Sequence, residues 1–278
     1  MVVLAWRNRP GRAHNPEVAG SNPAPATLKG SGNGSFFCSV PLGRGKLFAQ
    51  LLPAGTRFLP AMRPEKPPAS LLLVHGAGSG PEIYAAWPPA FPSIDVRAVD
   101  LHLGLEISQA SHADYAERVA AAGQELEAPV SLCAWSMGGL AVLQAAARIR
   151  PHSVVLIESS PPGEVQGFDS VVAPKPGSFD PEELYGSFPA NVAARPESSL
   201  ARAERKRGIS VPSLPCPSLV VSGREFPEER GRRVARLYGS AELRYPKFSH
   251  WDLIHERRVR EDIAAWLGIT RPTKLPSA

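Results

Sequence analysis

The chain has 278 residues, 43% of them apolar, enough for one large domain or two small ones around an ordinary globular core. Its net charge of +5 invites a nucleic-acid reading that the charge distribution removes. Residues 1–61 hold seven of the 31 Lys and Arg and one of the 26 acids, which leaves 24 basic against 25 acidic residues over 62–278.

No apolar run is long enough to span a bilayer, so no membrane association is expected. The opening MVVLAWRNRPGRAHNPE has too short an apolar patch before its charges and prolines for a secretory signal. Cys38, Cys133 and Cys216 match no disulfide framework and no familiar metal-ligand spacing. Cys133, inside an apolar run, reads as a small buried hydrophobe. A reducing, cytoplasmic setting is the expectation.

Residues 1–61 are rich in Gly, Pro, Ser and Asn and keep no helical or strand period. GSGNGS reads as flexible linker, and SNPAPAT cannot join a helix or a central strand. HNPEVAGSNPAPAT is also similar to the conceptual translation of the T-arm end of a transfer RNA gene. The expectation is a disordered or non-native extension over 1–61, with Met62 as the native start, a folded domain over 62–270 and a short tail over 271–278.

From Ser70 the pattern changes. SLLLVHG (70–76) is a short continuous apolar run, typical of a parallel strand covered on both faces by helices. DVRAVDL (95–101), PVSLCA (129–134), SVVLIE (153–158) and SLVVSG (218–223) repeat it, and AELRYP (241–246) is a weaker last case. Between them HADYAERVAAAGQEL (112–126) has a small-residue helical face, and GGLAVLQAAARI (138–149) is apolar all round, as in a helix buried against a sheet. PEERGRRVARLYG (227–239) opens on Pro and two acids and closes on Gly. IHERRVREDIAAWLG (254–268) sets Ile254, Val259, Ile263 and Leu267 along one side. The alternation predicts an α/β fold with a mostly parallel sheet flanked by helices. Residues 159–217, crowded with Pro, Gly and charge, break it, and an insertion of that length is expected to be a lid or binding region.

Ligands in such a fold sit at the C-terminal ends of the strands. His75 and Gly76 end the first strand, Ser136 ends the third inside LCAWSMGGL, Glu225 follows the fifth, and His250 follows the last. With these residues in view, the chain from about 70 to 267 resembles an α/β-hydrolase. LLLVHGAGSG is similar to the strand carrying the oxyanion loop, LCAWSMGGLAVLQ to the nucleophile elbow and its helix, and FSHWDLIHERRVREDIAAWL to the catalytic-histidine loop and terminal helix. Ala134 stands where the elbow usually has its first glycine. Phe226 stands where the family usually places its acid.

The resemblance implies a serine hydrolase with Ser136 as nucleophile, His250 as base and the Met137 and Ala77 N–H groups as oxyanion donors. A hydroxyl attacks only when a neighbouring base takes its proton, and a carboxylate must hold that base in the right tautomer. Glu225, one residue before Phe226, is the preferred acid; Glu158, ending the preceding strand, is its rival. The substrate would be a small, largely uncharged ester, thioester, lactone or amide, with no metal or organic cofactor and no nucleic-acid partner. A hydrolase-fold binding protein without turnover is the alternative, and Phe226 at the acid position is the feature that favours it. His75 is expected to shape the oxyanion loop, and His102, His112, His152 and His255 to be solvated or structural. The run RAERKRG (202–208) reads as a solvated helix face. Tyr84, Trp87, Trp135 and Phe168 read as either pocket lining or core.

Overall fold

The computed structural model describes residues 63–269. The expectations for residues 1–61, for Met62 as a start and for the tail lie outside them. Six strands form one parallel sheet: β1 (Ser70–Val74), β2 (Asp95–Val99), β3 (Val130–Trp135), β4 (Ser153–Ile157), β7 (Ser218–Ser222) and β8 (Ala241–Arg244), in the order β2-β1-β3-β4-β7-β8. The two-residue strands β5 (Ser178–Phe179) and β6 (Glu197–Ser198) make a separate antiparallel pair between β4 and β7.

The central strands are Val/Leu/Ile-rich because both faces are covered. Alternate residues go to opposite sides. Leu71, Leu73, Cys133, Trp135, Val155 and Ile157 join one apolar cluster, and Leu72, Val74, Leu132, Ala134, Val154 and Leu156 join the other. The first cluster is closed by α7 (Asp252–His255), α8 (Arg257–Trp266) and two 3-10 turns, Pro81–Tyr84 and Pro88–Ala90. The second is closed by α1 (His112–Gln124), α2 (Met137–Ile149) and α6 (Arg233–Tyr238). The result is the expected three-layer α/β arrangement. β2 departs from the expectation of two covered faces: as an edge strand it exposes Asp95 and Arg97, which pair with each other.

Two predicted helices differ in detail. The 227–239 segment begins as a wide π-type turn, Glu228–Arg232, before α6. The 254–268 segment is interrupted at Glu256, whose extended backbone separates α7 from α8. Arg260 bridges the break by donating to the carbonyls of Ile254 (3.4 Å) and His255 (2.8 Å), the groups that a continuous helix would have used. No helix among the described residues is long and apolar enough to cross a membrane.

The insertion 159–217 carries α3 (Gly163–Gln166), β5, α4 (Pro181–Tyr185), β6 and α5 (Ser199–Arg207). The basic run on α5 is not the solvated face expected. Arg205 is buried and donates to Ser160 Oγ (3.2 Å) and Tyr185 OH (3.3 Å), and Arg202 lies over the Phe179 ring. A long guanidinium stem covers apolar surface while its head finds polar partners, which periodicity alone does not reveal.

Candidate active site

From β1 the chain goes to β2 on one side and then crosses to β3 on the other, so the strand order reverses at the C-terminal ends of β1 and β3. Ser136 stands there, the single residue between β3 and α2. Its backbone has φ 54° and ψ −127°, outside the range that L-residues adopt without strain. Three bonds hold the bend. Ser136 N–H donates to the Ile157 carbonyl (3.0 Å), and the Ser136 carbonyl accepts from the N–H groups of Gly139 (3.1 Å) and Ser160 (2.8 Å).

The turn needs a bare residue behind it. A Cβ at Gly138 would stand 2.2 Å from the His75 carbonyl oxygen and 2.9 Å from that of Val74, both backbone atoms that cannot swing aside. At the first elbow position Ala134 is fully buried, so its methyl fits where the usual glycine has none. The β1 loop runs beside the serine: a side chain at Gly76 would begin 2.8 Å from Ser136 Cβ. Met137 N–H, at the first position of α2, has no intrahelical acceptor, and Ala77 N–H has no partner among the described residues.

His250 follows β8. Its Nδ1 donates to Glu158 Oε2 at 2.6 Å, and the Trp135 indole lies 4.5 Å away, donating through Nε1 to the His250 carbonyl (3.2 Å). Glu158 is fully buried at the end of β4, with φ 38°. Its other oxygen, Oε1, accepts the Gly223 N–H at 2.7 Å. Burial alone would raise this carboxyl. The bond and charge of His250 and the Gly223 N–H outweigh it, so Glu158 stays below its ordinary range and ionised. With Nδ1 committed to a carboxylate, the imidazole keeps Nε2 as its basic nitrogen.

The carboxylate bonded to His250 is therefore that of Glu158, the rival, and not that of Glu225, the preferred acid. Glu225 is half-exposed and lies 3.9 Å from Arg224, and the neighbouring Phe226 turns its ring edge-on to His250 at 6.2 Å. Because β4 is adjacent to β3 in the sheet, a side chain at its tip is already next to the elbow. Glu158 thus stands between the elbow on β3 and the loops after β7 and β8 that carry Gly223 and His250.

The other predicted residues separate cleanly. His75 accepts the Leu101 N–H on Nε2 (3.0 Å) and donates Nδ1–H to the Gly76 carbonyl (2.9 Å), a loop-shaping role. His102 and His112 are buried, not solvated. Tyr84, Trp87 and Trp135 are core, whereas Phe168 is exposed. Half-buried Trp251 (4.6 Å from Trp135), Phe188 (5.0 Å from Trp251) and Phe226 form an aromatic surround for His250. Sequence reasoning missed Glu197, Tyr115 and Arg195, whose partners are distant in the chain. Among the described residues no group of three or more His, Cys, Asp or Glu is placed to hold a metal ion.

Residues 71–273 match the family model described as "Alpha/beta hydrolase family". No curated protein matches the chain. Among solved structures it is similar to a thermophilic esterase from Thermogutta terrifontis, at 20% identity and TM-score 0.55 over 73% of this chain and 90% of that one. A structure of the metagenome-derived lipolytic enzymes LipS and LipT matches at 16% identity and TM-score 0.53, over 80% and 100%. A pyrethroid hydrolase from Sphingobium faniae JZ-2 matches at 17% identity and TM-score 0.50, over 72% and 97%. At these identities the likeness is one of fold.

Proposed function

Since the chain belongs to the alpha/beta hydrolase family, we propose that it is a serine hydrolase that cleaves a small, largely uncharged ester, thioester, lactone or amide through an acyl-enzyme. One observation carries the reading: a serine held at positive φ between β3 and α2, in a fold whose His250 is tied at 2.6 Å to a buried, ionised glutamate. Each feature costs free energy, and a serine at such a turn with a carboxylate-held histidine is the arrangement that activates a hydroxyl. The positive φ is strained, and burying a carboxylate costs free energy unless it is paired.

In this mechanism His250 Nε2 takes the Ser136 hydroxyl proton as Oγ attacks the substrate carbonyl carbon. Glu158 stabilises the imidazolium that forms. The Met137 and Ala77 N–H groups bind the oxyanion, each worth about 3–4 kcal/mol of transition-state stabilisation. The imidazolium then gives its proton to the leaving group. Water, deprotonated by the same nitrogen, attacks the acyl carbonyl, and the imidazolium returns the proton to Ser136 Oγ as the ester bond to the enzyme breaks and the acid leaves. The steps call on no metal or organic cofactor.

The aromatic surround of His250 favours uncharged acyl or alcohol groups, and the packing of Phe188 against Trp251 supports reading the insertion 159–217 as a lid or binding region. The esterase, lipolytic and pyrethroid-hydrolase activities named for the similar structures accord with this class. The off-pattern acid that favoured a binding protein loses its force, because Glu158 supplies the carboxylate that Phe226 does not.

The test is intact-mass measurement after treatment with a fluorophosphonate probe. The expected result is one adduct on the wild type and none on Ser136→Ala. A well-folded wild type that stays unlabelled and turns over no short acyl ester overturns the reading.

A further inference from the structure

The oxyanion loop does not hold itself. Gly78, the residue after Ala77, has φ +69°, and its Cα faces the insertion so closely that a Cβ would meet Pro181 of α4 at 2.4 Å. Its carbonyl accepts the Arg195 N–H at 2.8 Å. Its N–H donates to Glu197 Oε2 at 2.9 Å. Both backbone groups of this one residue are thus gripped by the insertion.

Glu197 is almost wholly buried, an expensive place for a carboxylate unless its oxygens are satisfied. They are, by four donors. Oε2 accepts from Gly78 N–H and His102 Nε2 (3.3 Å), and Oε1 accepts from Ser198 N–H (2.9 Å) and the Tyr115 hydroxyl. Arg195 adds a second tie two residues earlier, with a bidentate pair to Asp100 at the tip of β2 (3.0 and 3.1 Å). The core supplies Tyr115 and His102, the insertion supplies Glu197, and the loop is fastened between them.

We infer that Glu197 is a positioning residue that fixes the oxyanion loop, so that the insertion sets the aim of the Ala77 N–H as well as lining the pocket. The inference rests on the hydrolase reading for its catalytic consequence, though not for the fastening itself. Only a charged acceptor serves four donors. A carboxamide offers one oxygen, and although the Tyr115 hydroxyl or a neutral His102 can turn acceptor, its NH2 must face one fixed backbone donor, the Gly78 N–H or the Ser198 N–H. An unfastened loop leaves substrate binding nearly intact and weakens what is made only in the transition state.

The experiment compares Glu197→Gln with the wild type and with Val154→Ala, a buried change at the far end of β4 that leaves the site alone. Two quantities are read: steady-state hydrolysis of p-nitrophenyl acetate, and hydrogen exchange of the peptide spanning 75–80. For Glu197→Gln, kcat is expected to fall about 10- to 100-fold, short of the 10²–10³ lost with a deleted donor. KM should stay within about threefold, and exchange over 75–80 should rise. Val154→Ala should lower melting temperature without either change.

Unchanged exchange over 75–80 in Glu197→Gln overturns the inference, as does unchanged kcat or an equal kcat loss in Val154→Ala. If Glu197→Gln does not fold, Glu197→Asp takes its place. It keeps the charge but ends about 1.5 Å, one bond, short of Gly78, and wild-type kcat and exchange in that variant overturn the inference equally. If the wild type neither turns over the ester nor takes the fluorophosphonate, the hydrolase reading fails, and the exchange comparison alone then decides the fastening.

Discussion

Replacing each of two glutamates by glutamine separates the candidate acids. In Glu158→Gln the side chain keeps its length, but only one oxygen is left for two donors, Gly223 N–H and His250 Nδ1–H. If the amide oxygen stays on Gly223, the NH2 group faces His250 and forces the proton onto Nε2, where it blocks the base. If the amide flips, His250 keeps its tautomer and Gly223 N–H is left facing a donor. The first arrangement costs catalysis. An aspartate-to-asparagine change behind a catalytic histidine lowers kcat about 10⁴-fold, or about 5 kcal/mol of barrier. The second costs stability, about 1–3 kcal/mol for a buried donor left unsatisfied, which a domain stable by about 5–15 kcal/mol survives.

Glu225→Gln removes only a half-exposed charge 3.9 Å from Arg224, worth less than about 1 kcal/mol, and should leave kcat within about twofold. The assay is hydrolysis of a short activated ester together with the rate of fluorophosphonate labelling, on variants shown by circular dichroism to be folded. Near-wild-type kcat in Glu158→Gln beside a collapse in Glu225→Gln would refute the reasoning and return the acid to the loop after β7.

Two further outcomes follow from the same geometry. Gly138→Ala must push a methyl against the carbonyls of His75 and Val74. It should cost about 1–3 kcal/mol in a denaturant melt and lower fluorophosphonate labelling at Ser136; a variant with wild-type stability and reactivity would mean the elbow is looser than described. Glu197 gives a signature in acid. Burial would raise its carboxyl, but His102, Tyr115 and Ser198 N–H outweigh it and hold it down to about 2, from an ordinary 4.5. A depressed carboxylate contributes stability that is complete above the unfolded value and lost as pH falls. About 3 kcal/mol should therefore disappear between about pH 4.5 and 2, and the step should shrink in Glu197→Gln; equal acid sensitivity in both proteins would contradict it.

The sheet, the elbow and the histidine loop were legible because their signals are local. A five-residue apolar run between turn residues is a covered strand wherever it occurs. Ser136 followed by Met137-Gly138-Gly139 carries its own steric reason. The helix over 254–268 was legible only in part, because its break at Glu256 depends on Arg260 reaching back to two carbonyls.

The acid was a different matter. LIESSPP and SGREFPE each end a strand with a glutamate close behind, and nothing in either string says which lies beside His250. The course of the loops after β4, β7 and β8 decides it, and that belongs to the tertiary structure. Glu197 lay further out of reach, in an irregular stretch with no period, its four donors coming from residues 78, 102, 115 and 198. Local sequence determined which elements form and where a serine is held at a strained bend. Tertiary structure alone decided which buried charge meets which donor, because a carboxylate is tolerated in the interior only where several distant parts of the chain converge to satisfy it.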